Sequence, residues 1–345
     1  MSFDTAIKCI DWIFDNVPAN MDGIEISFIG GEPLLEFELI KKVVTYAIQN
    51  KISSDSKGIV FFASTNGTLL DDPTKEWLRD HKSYFCLGLS LDGTRDTHNY
   101  NRSNSFDQID IDFFRKTWPK QSVKMTLSEY SLCNLAENIK YLHALGFAVR
   151  GVNLSEGDFN WNDERHVDVL VPQLKALVDF YVINDSLEVC QMFDRTLSLC
   201  EVKNRERKKW CGIGTGCPFF DVDGKLYPCS YMTPMTFSEK ELFDIADTDF
   251  SNNDNFVDND CFDNCYIYPL CASCAGACYM MYKSFNERDK GKCRLQKLIA
   301  LFIADLQAKR ILKNTDCIEK SRLYSTIEVI KKIKSLYYDE YKQYQ

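Results

Sequence analysis

The chain carries, at residues 23 to 33, the stretch GIEISFIGGEP, in which an apolar run leads into a Gly-Gly turn. The run is rich in isoleucine, a β-branched residue that favours strands. An acidic residue and a proline, Glu32 and Pro33, follow the two glycines and are unfavourable inside a strand. We therefore predict a buried strand over residues 23 to 29 with a polar turn at its carboxyl end.

The same alternation of strand and helix patterns continues on both sides of this stretch. Further strand patterns, apolar and rich in β-branched or aromatic residues, cover residues 59 to 65, 85 to 91, 122 to 128 and 147 to 154. Helical spacing of apolar residues covers residues 3 to 17, 36 to 50, 73 to 82, 107 to 117, 134 to 145 and 165 to 183. Helices that alternate with buried strands predict an α/β fold with a parallel sheet, either open or closed into a barrel.

The organisation of the chain changes after residue 200. An Asp-Gly turn within residues 221 to 229 (DVDGKLYPC) predicts a hairpin that places Cys229 at its far end. Two amphipathic helices are predicted after Cys293, one around residues 295 to 306 and one around residues 327 to 337.

The overall composition restricts the partners and the compartment. A net charge of −9 argues against a nucleic-acid partner, which would call for a basic surface. The amino terminus lacks a basic leader, and no apolar run reaches the roughly 20 residues that span a bilayer. We therefore expect no membrane partner and a cytoplasmic location, in which the fifteen cysteines are thiols or metal ligands rather than disulfides.

Nine of the cysteines lie between residues 211 and 293, too densely for independent core residues. They are Cys211, Cys217, Cys229, Cys261, Cys265, Cys271, Cys274, Cys278 and Cys293. We expect them to converge on a soft metal that stabilises thiolates. Zinc stays open as an alternative, but this region contains no histidine, and eight cysteines match the ligand count of two [4Fe–4S] clusters.

Polar residues also occur where two further strand patterns end. Ser64 and Asn66 close the second strand pattern, and Ser90 and Asp92 close the third. Because βα barrels build their active sites at the carboxyl ends of the strands, we expect these side chains to share one edge with the Gly-Gly turn.

These strand ends resemble those of radical SAM enzymes that carry a SPASM domain. In that family a GGEP motif binds the amino group of S-adenosylmethionine (SAM). The matching residues here are Gly30, Gly31, Glu32 and Pro33. The resemblance implies that Ser90 contacts SAM and that Arg102 meets the SAM carboxylate as a bidentate partner.

The cysteine region is similar to the SPASM domain of radical SAM peptide and protein maturases. The family pattern is C-x9-15-G-x4-C, then C-x2-C-x5-C-x3-C, then a final C; here the interval after Cys261 is x3 and that after Cys271 is x2. The resemblance implies a first auxiliary cluster held by Cys211, Cys217, Cys229 and Cys274. It implies a second held by Cys261, Cys265, Cys271 and Cys293. Cys278 competes with Cys274 for one ligand position.

The C-x3-C-x2-C loop that follows the first barrel strand of radical SAM enzymes is absent from the sequence. We therefore expect a partial radical SAM (β/α)6 barrel that lacks its first strand, through truncation or degeneration. The expected domains are the partial barrel over residues 1–200, an auxiliary iron–sulfur SPASM domain over 201–300 and C-terminal helices over 301–345.

The resemblance implies a maturase that, in full-length form, modifies a ribosomally made peptide or a protein, with thioether formation at cysteine favoured. Sulfatase maturation is less favoured, because those enzymes place Asp after the cysteine that matches Cys229 and this chain has Ser230. A flavodoxin or ferredoxin is the implied electron donor, and no catalytic base is assigned. A pseudoenzyme or electron-transfer partner that cannot cleave SAM alone, and a non-enzymatic zinc protein, are the alternatives.

Overall fold

The computed structural model describes residues 1–18, 21–51, 58–119, 121–155, 161, 163–202, 205–313 and 320–342. The strands are β1 (Gly23–Phe28), β2 (Gly58–Thr65), β3 (Phe85–Leu89), β4 (Ser122–Leu127), β5 (Ala148–Leu154), β6 (Phe219–Phe220) and β7 (Leu226–Tyr227). The helices of the first half are α1 (Phe3–Asn16), α2 (Phe37–Lys51), α3 (Asp72–His81), α4 (Arg95–Asn101), α5 (Ile111–Thr117), α6 (Glu129–Leu132), α7 (Leu135–Ala144) and α8 (Glu164–Ile183).

The helices of the second half are α9 (Glu239–Ala246), α10 (Asn259–Asn264), α11 (Ala275–Tyr282), α12 (Cys293–Lys313), α13 (Lys320–Leu336) and α14 (Tyr338–Lys342). Across the described ranges, no helix combines the length and the apolar character that crossing a membrane requires.

The chain divides into two compact units, which we call the sheet unit and the cysteine unit. The sheet unit comprises residues 1–127, 137–153 and 220–225. The cysteine unit comprises residues 128–136, 154–219 and 226–345. The domain boundaries at residues 200 and 300 stay predictions.

The sheet unit contains a parallel three-stranded sheet in the order β1-β2-β3. Phe61 of the central strand is fully buried, and its ring stacks on Phe28 of β1 with centroids 6.2 Å apart. Phe28 also stacks on Phe85 of β3. Aromatic rings therefore fill the same face of three neighbouring strands, as the apolar patterns of those strands require.

The two remaining strands of the sheet unit continue this arrangement. A parallel bridge joins Ser90, just after β3, to Lys124 of β4, and β4 pairs with β5. All five predicted strands are confirmed to within two residues at either end. The predicted α/β fold with a parallel sheet is thereby confirmed. The sequence patterns miss α4, because its seven residues, RDTHNYN, include no aliphatic side chain.

Helix starts in the sheet unit follow local capping rules. Ser2 accepts a hydrogen bond from the Thr5 backbone N–H at the start of α1, and Asp71 accepts one from Thr74 at the start of α3. Pro73 occupies the first turn of α3, where a backbone N–H has no helical acceptor. Each such cap contributes about 1 kcal/mol and fixes where a strand-to-helix connection ends.

The cysteine unit is organised around the long helix α12. This helix packs against α8 and α13, and the predicted core positions Leu295, Leu298 and Phe302 are buried. A separate apolar cluster lies among the cysteine-bearing loops. Its buried members are Ile213, Met232, Phe237, Ile245, Phe256, Ala275 and Tyr279. Both predicted C-terminal helices are confirmed, and the predicted hairpin is present as β6 and β7.

Candidate functional site

The turn after β1 is tied to the end of β2 by the carboxylate of Glu32. Its Oε1 accepts hydrogen bonds from Thr65 Oγ1 at 2.8 Å and from the Leu34 backbone N–H at 3.1 Å. Its Oε2 accepts one from the Asn66 backbone N–H at 2.8 Å. Three hydrogen bonds to one carboxylate fix its position at the carboxyl end of the sheet.

The two glycines that precede Glu32 border open space. A Cβ atom added to Gly30 or Gly31 would have no other heavy atom within 4 Å. These glycines are therefore not required for packing within the chain, and a ligand can approach their backbone closely.

The glycines at the ends of β2 and β3, in contrast, are required by the fold. Gly67 has φ +80° and Gly93 has φ +121°, both in the left-handed region. A Cβ atom at Gly93 would lie 2.3 Å from the side chain of Asn138. These sharp turns redirect the chain immediately after Asn66 and Asp92, which follow the ends of β2 and β3.

Asp92 forms the second anchored carboxylate at this edge and is only 1% exposed. Arg102 binds both of its oxygens, with Nε donating at 2.7 Å and Nη2 at 3.1 Å. The Thr126 backbone N–H donates to the same carboxylate at 2.9 Å, and Asn101 Nδ2 donates at 3.3 Å. Asp92 therefore connects the end of β3 to α4 and β4.

His98 is hydrogen-bonded to the backbone of the turn that carries Asp92. The imidazole is fully buried, its Nδ1 lies 3.3 Å from the Asp92 backbone N–H, and its Nε2 lies 3.1 Å from Ser105 Oγ. Burial lowers the pKa of His98 to about 4, although the neighbouring Asp92 carboxylate raises it. A neutral imidazole can accept the Asp92 N–H at Nδ1 and donate to Ser105 from Nε2.

The sequence-predicted residues of the sheet unit thus fall at one sheet edge. Glu32 is hydrogen-bonded to Asn66, and Ser64 and Ser90 lie at the ends of β2 and β3. Arg102 forms its bidentate contact with Asp92, and its implied contact with SAM stays a prediction.

Two hydrogen-bond donors that hold the carboxylates of Glu32 and Asp92 are not identified by the sequence analysis. Thr65 reads as a strand residue, yet its hydroxyl binds Glu32. The Thr126 contribution is a backbone N–H, which side-chain identity cannot reveal. The only sequence signal for Thr65 is its place inside the strand-end motif Ser64-Thr65-Asn66-Gly67.

The cysteine unit brings Cys211, Cys229 and Cys274 into one group, which we call the first thiol group. Burial raises the pKa of the Cys229 thiol, and the negative charges of Cys274 and Cys211 raise it further. Cys217 closes the same turn as Cys211, since its backbone N–H donates to Gly212 O at 3.1 Å. The Gly214 N–H donates to Pro228 O at 3.0 Å and ties this turn to the segment that carries Cys229.

A second thiol group contains Cys261, Cys265, Cys271 and Cys293. Burial raises the pKa of the Cys271 thiol, and the charges of Cys265 and Cys293 add to that rise. Burial likewise raises the pKa of Cys293, with Cys261 and Cys265 contributing. The second group contains the same residues as the second cluster implied by the resemblance, and the first group contains three of the four residues of the first cluster, with Cys217 on the adjoining turn. The role of each residue as a ligand stays a prediction.

Cys278 lies on α11, close to Cys274 of the first thiol group. It is 3% exposed on α11, and its Sγ lies 3.5 Å from Ser273 Oγ. Burial raises its pKa, and the charge of Cys274 contributes. The choice between Cys274 and Cys278 as a ligand therefore remains open.

Within the described ranges, no group of three or more His, Cys, Asp and Glu side chains is placed to hold a single metal ion. Binding of zinc and binding of iron–sulfur clusters both stay predictions.

Cationic side chains border the second thiol group. Lys290 Nζ lies 2.8 Å from Cys261 Sγ and 3.1 Å from the Asp258 carboxylate. Arg205 donates to the backbone carbonyl of Cys265 at 3.2 Å. Positive charge at these positions offsets the mutual repulsion of thiolates.

Comparisons with known proteins find similarity to sulfatase-maturating enzymes. No model of a known protein family matches the chain. A cysteine-type anaerobic sulfatase-maturating enzyme of Clostridium perfringens is 25% identical over 224 residues, which cover 59% of each chain. A second such enzyme, from C. perfringens strain 13, is 24% identical over 300 residues, which cover 76% of each chain. The chain is a relative of the anaerobic sulfatase-maturating enzymes.

The fold agrees with this relationship. A solved structure of anSMEcpe with bound AdoMet has a TM-score of 0.66 at 19% identity, covering 95% of this chain and 90% of that one. The structure of Streptococcus suis SuiB has a TM-score of 0.53 at 16% identity, covering 84% of this chain and 71% of that one. The resemblance to radical SAM/SPASM maturases and the predicted fold are confirmed by these matches.

The buried His98 predicts a pH dependence of stability. Because its pKa falls from 6.5 to about 4 on folding, its contribution is complete above pH 6.5 and is lost as the pH falls towards 4, by roughly 3 kcal/mol. Urea denaturation at several pH values, compared with H98Q, measures this contribution. The variant should lose less stability than the wild type between these pH values. An equal loss in both proteins would contradict the assignment.

Proposed function

We propose that this chain is a radical SAM/SPASM maturase-type protein that binds SAM at the sheet edge and two auxiliary [4Fe–4S] clusters in the cysteine unit. Together with a C-x3-C-x2-C cluster, which this sequence lacks, it would modify a cysteine of a peptide or protein substrate by forming a thioether. The separation of seven cysteines into two groups of interacting thiols, with Cys217 on the same turn as Cys211, carries this proposal.

The sheet edge supports the SAM assignment through its chemistry. The Glu32 carboxylate and the open backbone at Gly30 and Gly31 suit an ammonium group, which needs acceptors and close approach. Arg102 uses Nε and Nη2 to bind Asp92, which fixes the guanidinium and leaves its Nη1–Nη2 side for a SAM carboxylate. SAM bound here would supply an adenosyl radical only together with a C-x3-C-x2-C cluster that delivers the electron, and this sequence contains no such triplet.

The cysteine unit supports cluster binding in a different way. Burial and neighbouring cysteine charges raise the pKa of these thiols, so their conversion to metal-ligating thiolates requires a cation. Cys211, Cys217, Cys229 and Cys274 would hold the first cluster, and Cys261, Cys265, Cys271 and Cys293 the second. Electron transfer is the chemistry that such clusters supply.

Sulfatase maturation is the second candidate, and the relatives that match this chain favour it. The solved anSMEcpe structures include one with a bound Cp18Cys peptide. The residue after Cys229 is Ser230, however, and not the Asp that sulfatase maturases carry there. This difference favours a peptide substrate of another kind.

The metal content tests the central part of the proposal. Anaerobic reconstitution should give about eight iron and eight sulfide per chain. C229S and C271S should each reduce this content by about half, because each removes a ligand from one cluster. C133S is the matched control, since Cys133 is an exposed thiol outside both groups. Stoichiometric zinc without sulfide would support the zinc alternative instead.

SAM binding tests the sheet edge separately. The 345-residue chain should bind SAM in equilibrium dialysis but form no 5′-deoxyadenosine with dithionite, because it has no C-x3-C-x2-C triplet. E32Q should weaken binding about tenfold, since a hydrogen bond to a charged group is worth about 1.5–3 kcal/mol. E36Q changes an exposed carboxylate in the same turn and should bind normally. Appreciable 5′-deoxyadenosine, or equal binding by both variants, would contradict these assignments.

Binding of the Cp18Cys peptide discriminates the two substrate classes. The thioether proposal predicts no saturable change in fluorescence anisotropy when a labelled Cp18Cys peptide is titrated with the reconstituted protein. Saturable binding that unlabelled peptide reverses would favour sulfatase maturation.

A further inference from the structure

One arginine of the cysteine unit, Arg288, is buried, and within the described residues its guanidinium forms no salt bridge. Arg288 is 6% exposed, and its Nη1 donates to the backbone carbonyl of Cys271 at 2.8 Å. Its Nε and Nη2 atoms are buried and have no hydrogen-bond partner in the part of the chain that the structure describes. Two nitrogens of a charged group, which carry three N–H donors, are therefore buried unsatisfied.

Aromatic rings hold this guanidinium in one orientation. Its central carbon lies 4.0 Å from the ring centroid of Tyr268 and 5.5 Å from that of Trp210. The Arg288 backbone N–H donates to the Asp258 carboxylate at 3.2 Å, which fixes the main chain as well. Cation–π contacts position the charge, but they do not neutralise it.

The position of Arg288 relates it to the second thiol group. Its hydrogen bond ends on Cys271, and burial raises the pKa of that thiol while the Arg288 cation opposes the rise. Arg288 also opposes the rise that burial causes in the pKa of Cys261. The cation therefore acts on two members of the group at once.

We infer that Arg288 is the counter-cation of the second auxiliary cluster and donates hydrogen bonds from Nε and Nη2 to its sulfur atoms. The inference rests on the proposed cluster binding and assigns a positioning residue to it. A cysteine-ligated [4Fe–4S] cluster has a formal charge of about −2 when oxidised and about −3 after one-electron reduction. Sulfur acceptors of that charge satisfy both buried nitrogens and compensate the cation.

This role has a direct consequence for the reduction potential. A fixed cation stabilises the more negative, reduced cluster more than the oxidised one. Removing the charge should therefore shift the potential of the second cluster to more negative values. The first cluster should shift less, because the hydrogen bond of Arg288 ends on Cys271 of the second group, although its charge also acts on Cys278.

The test is an anaerobic potentiometric titration of the reconstituted chain, followed by electron paramagnetic resonance. In R288M one of the two couples should become at least tenfold harder to reduce, a shift of about 59 mV for a one-electron couple. R288K keeps the charge but not the fork, and it should recover part of the shift. Iron and sulfide content is measured on every sample.

Arg205 provides the matched control. Its guanidinium borders the same thiol group, but its donors are directed to the carbonyl oxygens of Cys265, Cys200 and Tyr266. R205M should shift the same couple less than threefold.

The outcomes separate this inference from the proposed function. Two clusters with unchanged potentials in R288M would overturn the role of Arg288 and leave the proposed function intact. Wild-type protein without iron and sulfide would overturn both. If R288M loses one cluster while R288K retains two, the requirement for the positive charge is established and the inference is supported.

Discussion

The burial of neighbouring thiols is the constraint on which the cysteine unit depends. Burial raises the pKa of Cys229, Cys271 and Cys293, and the charges of neighbouring cysteines raise it further, so deprotonation of these thiols requires positive charge nearby. Lys290 and Arg288 lie beside the second thiol group and supply part of that charge. In the proposed clusters, iron would supply the rest.

In the sheet unit, hydrogen bonds hold two carboxylates in fixed positions. Glu32 and Asp92 each stand at the end of a parallel strand, and each is held by three or more hydrogen bonds from neighbouring elements. The required glycines at the ends of β2 and β3 make the turns that allow this, while Gly30 and Gly31 leave space beside Glu32. At this sheet edge, hydrogen bonds within the chain hold Glu32 and Asp92 in place, whereas the backbone at Gly30 and Gly31 borders open space that a ligand can enter.

Much of this organisation could be predicted from local sequence. The five strands follow from runs such as IVFFAST, and the two thiol groups follow from cysteine spacing compared with a known pattern. Helix α4 could not be predicted, because its polar residues are held by contacts with Asp92 and Ser105 rather than by an apolar face. Arg288 could not be singled out either, because its burial against Tyr268 and Trp210 joins residues far apart in the chain.

The most direct measurement is a crystal structure of the anaerobically reconstituted protein with anomalous scattering recorded at the iron edge. The account predicts two iron peaks in the cysteine unit, one enclosed by Cys211, Cys217, Cys229 and Cys274 and one by Cys261, Cys265, Cys271 and Cys293. Zinc peaks at these positions, or iron bound elsewhere with the thiols directed apart, would contradict it.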